Sequence, residues 1–115
     1  MRSFKKLIRK YKKDDIEFTK HAKIKLDQTD ISEDFIKEKL FAINDLIYEE
    51  FQKERKTYKL IYKHSARYLI VIIVSLLKSR IKIVTLYKTS KKLQKLIKKK
   101  GILHISKRFL TLRKQ

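Results

Sequence analysis

The chain has 115 residues, enough for one domain with one modest core. Hydrophobic residues make up 43% of it, which excludes a disordered tail as the whole answer, and the absence of cysteine excludes disulfide frameworks and thiolate metal sites. Lys and Arg number 32 against 12 Asp and Glu, a formal net charge of +20.

That charge is unevenly spread. Residues 1–54 carry 13 basic and 12 acidic side chains, a net of +1, whereas residues 55–115 carry 19 basic side chains and no acid, a net of +19. Compositional bias can supply lysines, but it does not by itself remove carboxylates from half a chain. Self-repulsion at this density destabilises the compact state unless a polyanion relieves it. Nucleic acid fits first, because phosphate binding rewards clustered Lys and Arg through counterion release. An acidic protein fits second and an anionic membrane surface third. The longest apolar run, Tyr68 to Leu77, is ten residues. A spanning helix needs roughly twenty, so no transmembrane segment is expected. The start, MRSFKKLIRKYKK, lacks the apolar stretch of a secretory signal. With the lack of cysteine, this points to the reducing cytoplasm.

In chain order, Phe4, Leu7, Ile8 and Tyr11 recur at the spacing of an amphipathic helix over Ser3 to Lys13, which Ser3 can cap. Asp14-Asp15 breaks that pattern. Ile16-Glu17-Phe18 alternates as a short strand. Thr19 then caps a helix from Lys20 to about Gln28. Gln28-Thr29-Asp30 turns the chain, and Ser32 caps a further helix whose first turn carries Glu33 and Asp34. Ile36, Leu40 and Ile43 form its buried stripe, and Asn44-Asp45 ends it. Leu46 to Phe51 and Thr57 to Lys63 read as strands, the second with Tyr58, Leu60 and Tyr62 on one side. Two strands at the centre of the fold follow, Tyr68 to Leu77 and Ile81 to Tyr87, joined at Ser79-Arg80. A buried helix is the rival account of the first run, but its Ile and Val content favours a strand.

The sequence from Ser90 to Lys100 reads as a last helix stopped by Gly101, with Leu93, Leu96 and Ile97 inward and a lysine face outward. Residues 102–112 suit another strand, a docked tail or a homodimer edge. The expectation is one α+β domain over 1–115. It comprises an amphipathic helix at 1–13, a core at 14–89, and a basic helix and tail at 90–115. The core pairs two helices with a curved, four- to five-stranded antiparallel sheet.

No phosphate-loop, dinucleotide or metalloprotease motif is present, and the single glycine excludes a glycine-rich phosphate cradle. The basic half has no carboxylates to hold two metal ions, so no metal or cofactor is assigned. Metal-independent RNA cleavage needs a base, an acid for the leaving oxygen and cations for the phosphorane charge. His21, Tyr87 and many Lys and Arg supply those residue types.

The stretch FTKHAKIKLDQTDISEDFIKEKL, Phe18 to Leu40, resembles the DUF4258 family of small domains. Their pattern is a strand, His-Ala, a basic residue four positions after the His, a turn, Ile-Ser and a helix. Here His21-Ala22, Lys25, Leu26 and Ile31-Ser32 match, with Lys25 where Arg is usual. Thr29 and Asp30 stand where the family commonly has Arg and Gly. Ile83 to Lys88 resembles the family's closing strand.

That family is similar in architecture to RelE- and BrnT-type toxins, many of them endoribonucleases. The resemblance implies a toxin-like, metal-independent endoribonuclease paired with an acidic antitoxin-like partner. It implies His21 as acid or base, Tyr87 orienting or donating, and Lys25 and Lys88 on phosphate. Arg67, Arg80 and the lysines Lys91, Lys92, Lys95, Lys98 and Lys99 are the further phosphate contacts expected, RNA being favoured over DNA. The alternative is a non-catalytic DNA- or RNA-binding module using the same basic face. Each named residue also has an ordinary structural role open to it: His21 at a helix start, Tyr87 in packing, the lysines as solvated charge.

Overall fold

The computed structural model describes residues 3–90. Its elements are Phe4–Leu7 (α1), Ile16–Phe18 (β1), Lys20–Thr29 (α2), Glu33–Phe41 (α3), Leu46–Gln52 (β2), Thr57–Lys63 (β3), Tyr68–Leu76 (β4) and Ile81–Ser90 (β5). Single 3-10 turns lie at Ile8–Lys10, Lys13–Asp15 and Ile43–Asp45. This is an α+β arrangement on one five-stranded sheet of order β1-β5-β4-β3-β2.

The β-branched run at Tyr68 to Leu76 forms a strand with neighbours on both sides, pairing antiparallel with β3 and β5. Alternation then sorts side chains onto two faces. Tyr58, Leu60 and Tyr62 of β3 lie opposite Val74, Ile72 and Ile70 of β4. These join Ile81, Ile83 and Leu86 of β5 in the larger core, which also takes Phe4 and Ile8, Ala22 and Leu26 of α2, and Ile36 and Leu40 of α3. Ile43 packs at that core's margin. The opposite face holds a smaller cluster of Ile61, Leu69 and Val71, with Ile47, Tyr48 and Tyr87 against it.

The sheet is mixed, not antiparallel throughout. Ile16, Glu17 and Phe18 pair in parallel with Ile81, Lys82 and Ile83. The chain leaves β1 through α2 and α3, enters the sheet at the far edge as β2, and walks back by three hairpins. The last strand returns beside β1 running the same way. A three-residue strand carries no pattern that could announce its direction.

The N-terminal helix is shorter than its periodicity implies. Ser3 offers no side-chain cap; instead the Phe4 N–H donates to Glu49 Oε1 at 2.8 Å. Phe4 and Ile8, one helical turn apart, are fully buried and fix the segment on the core. Tyr11 then leaves the helix in an extended conformation, and its hydroxyl donates to the Leu77 carbonyl. That tertiary bond outcompetes the final helical turn. Ser90 closes β5. The rest of the expected C-terminal helix, and residues 102–112, lie outside the described residues.

Candidate functional site

The end of α2 and the end of β3 meet over β5 and leave an open cleft of about 310 Å³. Asp30, Ile31, Ser32, Phe35, His64 and Lys88 line it. Asp30 sits in the left-handed region, φ 57° and ψ 43°, and its N–H donates to the Leu26 and Asp27 carbonyls. Asp tolerates this conformation better than most residues, so it stands in for the usual glycine at a helix end. The chain then reverses, and Ser32 Oγ accepts from the Phe35 N–H at 3.1 Å to begin α3.

His64 follows β3 directly. Its N–H and that of Ser65 donate to the Tyr68 carbonyl at 3.2 and 3.1 Å, which ties the β3–β4 turn. The Phe35 ring meets the imidazole edge-on, 5.6 Å between centroids at 83°. Lys39 Nζ lies 6.0 Å from the Phe35 centroid and pairs with Asp45 at 3.0 Å. Lys88 pairs with Ile70, which pairs with Tyr62. That row brings Lys88 to the same end of the sheet as His64, two residues beyond Tyr62.

His64 Nδ1 is buried and meets no hydrogen-bond partner. Burial, then the charges of Lys88 and Lys39, hold its pKa below the ordinary 6.5. At neutral pH the imidazole is therefore mostly uncharged, with its Nδ1 closed to solvent and its ring beside a lysine. Such a group can accept a proton, and an arriving anion would stabilise its charged form.

The residues singled out from sequence fall in several places. His21 is exposed in the first turn of α2, at the end away from the cleft. Nine residues at about 1.5 Å each put it roughly 14 Å from Asp30 along the helix. Lys25 is half-buried one turn after His21. Tyr87 packs on the smaller cluster, so the sheet stands between it and the helix face bearing His21. The structure does not bring these two together.

Lys88 lines the cleft, and Arg67 is exposed in the same turn as His64. Arg80 lies in the β4–β5 turn, where its Nη1 is 3.5 Å from Glu17 Oε2. Lys91, Lys92, Lys95, Lys98 and Lys99 lie outside the described residues.

Sequence spacing passed over His64. The available signal was HSAR between two strands, a turn that any meander returns to the end of the next strand but one. Among the described residues no group of three or more His, Asp or Glu side chains is gathered to hold a metal ion. No helix among them is long and apolar enough to cross a membrane. No family model, curated protein or solved structure matches this chain.

Proposed function

We propose that this chain is a nucleic-acid-binding protein, RNA before DNA, and a metal-independent endoribonuclease of the RelE/BrnT-like, toxin type. The observation that carries the catalytic part is His64, its charged form disfavoured and its Nδ1 without a partner, beside Lys88 in one open cleft. This moves the acid–base role from His21 to His64. In the proposed step His64 acts through Nε2, because Nδ1 is closed to solvent, and takes the proton of an RNA 2′-hydroxyl as that oxygen bonds to phosphorus. The bond to the 5′-oxygen breaks, and that oxygen takes a proton from water. The products are a 2′,3′-cyclic phosphate and a 5′-hydroxyl. Lys88 faces the charge that develops on phosphorus, and the exposed Arg67 holds a neighbouring phosphate.

The non-catalytic module is the second reading, favoured by the net +19 of residues 55–115 and by the sheet that separates His21 from Tyr87. The deciding experiment incubates the purified chain with labelled RNA and DNA in EDTA, beside His64→Ala and His21→Ala. Cleavage of RNA alone, lost about a hundredfold in His64→Ala and kept in His21→Ala, is the expected result. Tight binding with a steep salt dependence and no cleavage in any form would leave the binding module. Weak, indiscriminate affinity for both nucleic acids would remove both readings.

A further inference from the structure

A second cavity, about 620 Å³, opens at the opposite end of β3. Its lining residue on β3 is Tyr58, whereas His64 lies just past the other end of the strand. Six residues at about 3.3 Å each separate the two sites by roughly 20 Å.

The floor is aliphatic. Leu7 comes from α1, and Leu76 and Leu77 from the end of β4. All three are half-buried. Tyr11 walls one side, held there by its hydroxyl on the Leu77 carbonyl. Tyr58 is only 7% exposed and packs on Phe51 at 5.0 Å and Phe4 at 5.9 Å.

The rim is cationic. Lys10, Lys53, Lys56 and Lys78 reach it from the N-terminal segment, the β2–β3 turn and the β4–β5 turn. All four are exposed, and no carboxylate is among the lining residues. Lys56 holds φ 55°, a conformation that non-glycine residues adopt at a cost. It closes the turn that carries Lys53 and Lys56 together to one edge.

We infer that this groove docks an acidic segment of a partner protein that inserts one large apolar side chain between the four lysines. An apolar pocket with a ring of like charge is built as an anchor site with a steering rim: the pocket supplies the buried contact and the lysines raise the encounter rate. Charge complementarity makes the partner acidic. The choice of peptide over nucleic acid rests on the floor. Tyr11 and Phe51 are half-buried rings on which a base can stack, whereas Leu7, Leu76 and Leu77 form an aliphatic floor that an apolar side chain fills and a flat, polar-edged base does not. The inference stands apart from the cleft at His64 and does not depend on catalysis there.

The test selects short random displayed peptides on the full chain. Winners should combine Asp or Glu with Leu, Ile or Phe. A labelled winner should lose about tenfold or more in affinity when Lys10→Glu and Lys53→Glu are combined. It should lose as much when its own apolar residue becomes Ser, a change that leaves the protein untouched. Oligouridine binding, measured by the same anisotropy assay, should change less than about twofold in the double variant. An empty selection, winners without acidic residues, or equal binding by a polyglutamate of the same charge would overturn the inference. So would loss of oligouridine binding in the double variant with competition against the peptide, because the groove would then belong to the nucleic acid. Circular dichroism of the double variant separates lost docking from lost fold. The result is independent of whether His64→Ala changes RNA cleavage.

Discussion

Tyr62→Phe isolates one hydrogen bond between the sheet and the helix that borders the cleft. Tyr62 is fully buried, and its hydroxyl donates to the Leu40 carbonyl at 2.8 Å. Leu40 lies in the last turn of α3, where carbonyls have no partner within the helix. The substitution keeps the ring and its packing and removes one oxygen. What remains is a buried carbonyl deprived of its donor, which costs about 1–3 kcal/mol. In a domain near this size each kcal/mol moves Tm by roughly 4–8 °C. Urea unfolding followed by circular dichroism should show a lower midpoint with an unchanged slope, since the surface exposed on unfolding is the same.

A second readout uses the same atom. Burial, and then Glu49, push the Tyr62 phenol above its ordinary pKa of 10.0. The unfolded phenol therefore ionises first as pH rises past 10, and the native state loses stability there. Tyr62→Phe should lose less of its stability above pH 10 than the parent does, because it lacks this phenol. A change below about 0.5 kcal/mol at neutral pH, with the alkaline loss unaltered, would refute the reasoning.

Thr19→Ala should cost about 1–2 kcal/mol, because Thr19 Oγ1 accepts from the Ala22 N–H at 3.1 Å and donates to the Val84 carbonyl at 2.9 Å. Thr19→Ser should recover most of that loss in the same unfolding experiment. Phe4→Ala removes a fully buried ring packed on Tyr58 and should cost about 3–5 kcal/mol, enough to separate a docked N-terminal segment from a loose one by hydrogen exchange. The His64 ring protons should titrate below 6.5, and Lys88→Gln should move that titration upward. The sign for stability follows: as pH falls below 6.5 the unfolded His64 takes a proton that the native one resists, so stability declines in that window. Binding of inorganic phosphate in the cleft should raise the titration again.

The elements themselves were legible because each is written in local chemistry. Thr19 and Ser32 accept the N–H three residues on, as capping residues do, and the helices begin where they stand. The alternation of Tyr58, Leu60 and Tyr62 set the inward face of β3, and the core takes all three. The Ile and Val run became a strand because branched side chains fit a pleat with neighbours on both sides. Periodicity misjudged the first helix. Spacing records which side of a helix is apolar, but not that Tyr11 finds a carbonyl 66 residues away.

The order of residues along the chain alone fixes the charge asymmetry, and the proposal of a polyanionic partner grows from it. Three-dimensional pairing decided where that charge can be used. The row Tyr62, Ile70, Lys88 carries a lysine to His64 across three strands, a meeting no sequence spacing encodes. The same pairing leaves His21 at the far end of its helix and Tyr87 on the other side of the sheet. It also placed β1 parallel to β5, because direction follows from how many times the chain has crossed the sheet. Local sequence specifies conformation within a few residues; proximity between distant residues arises only when strand register and helix docking are fixed together.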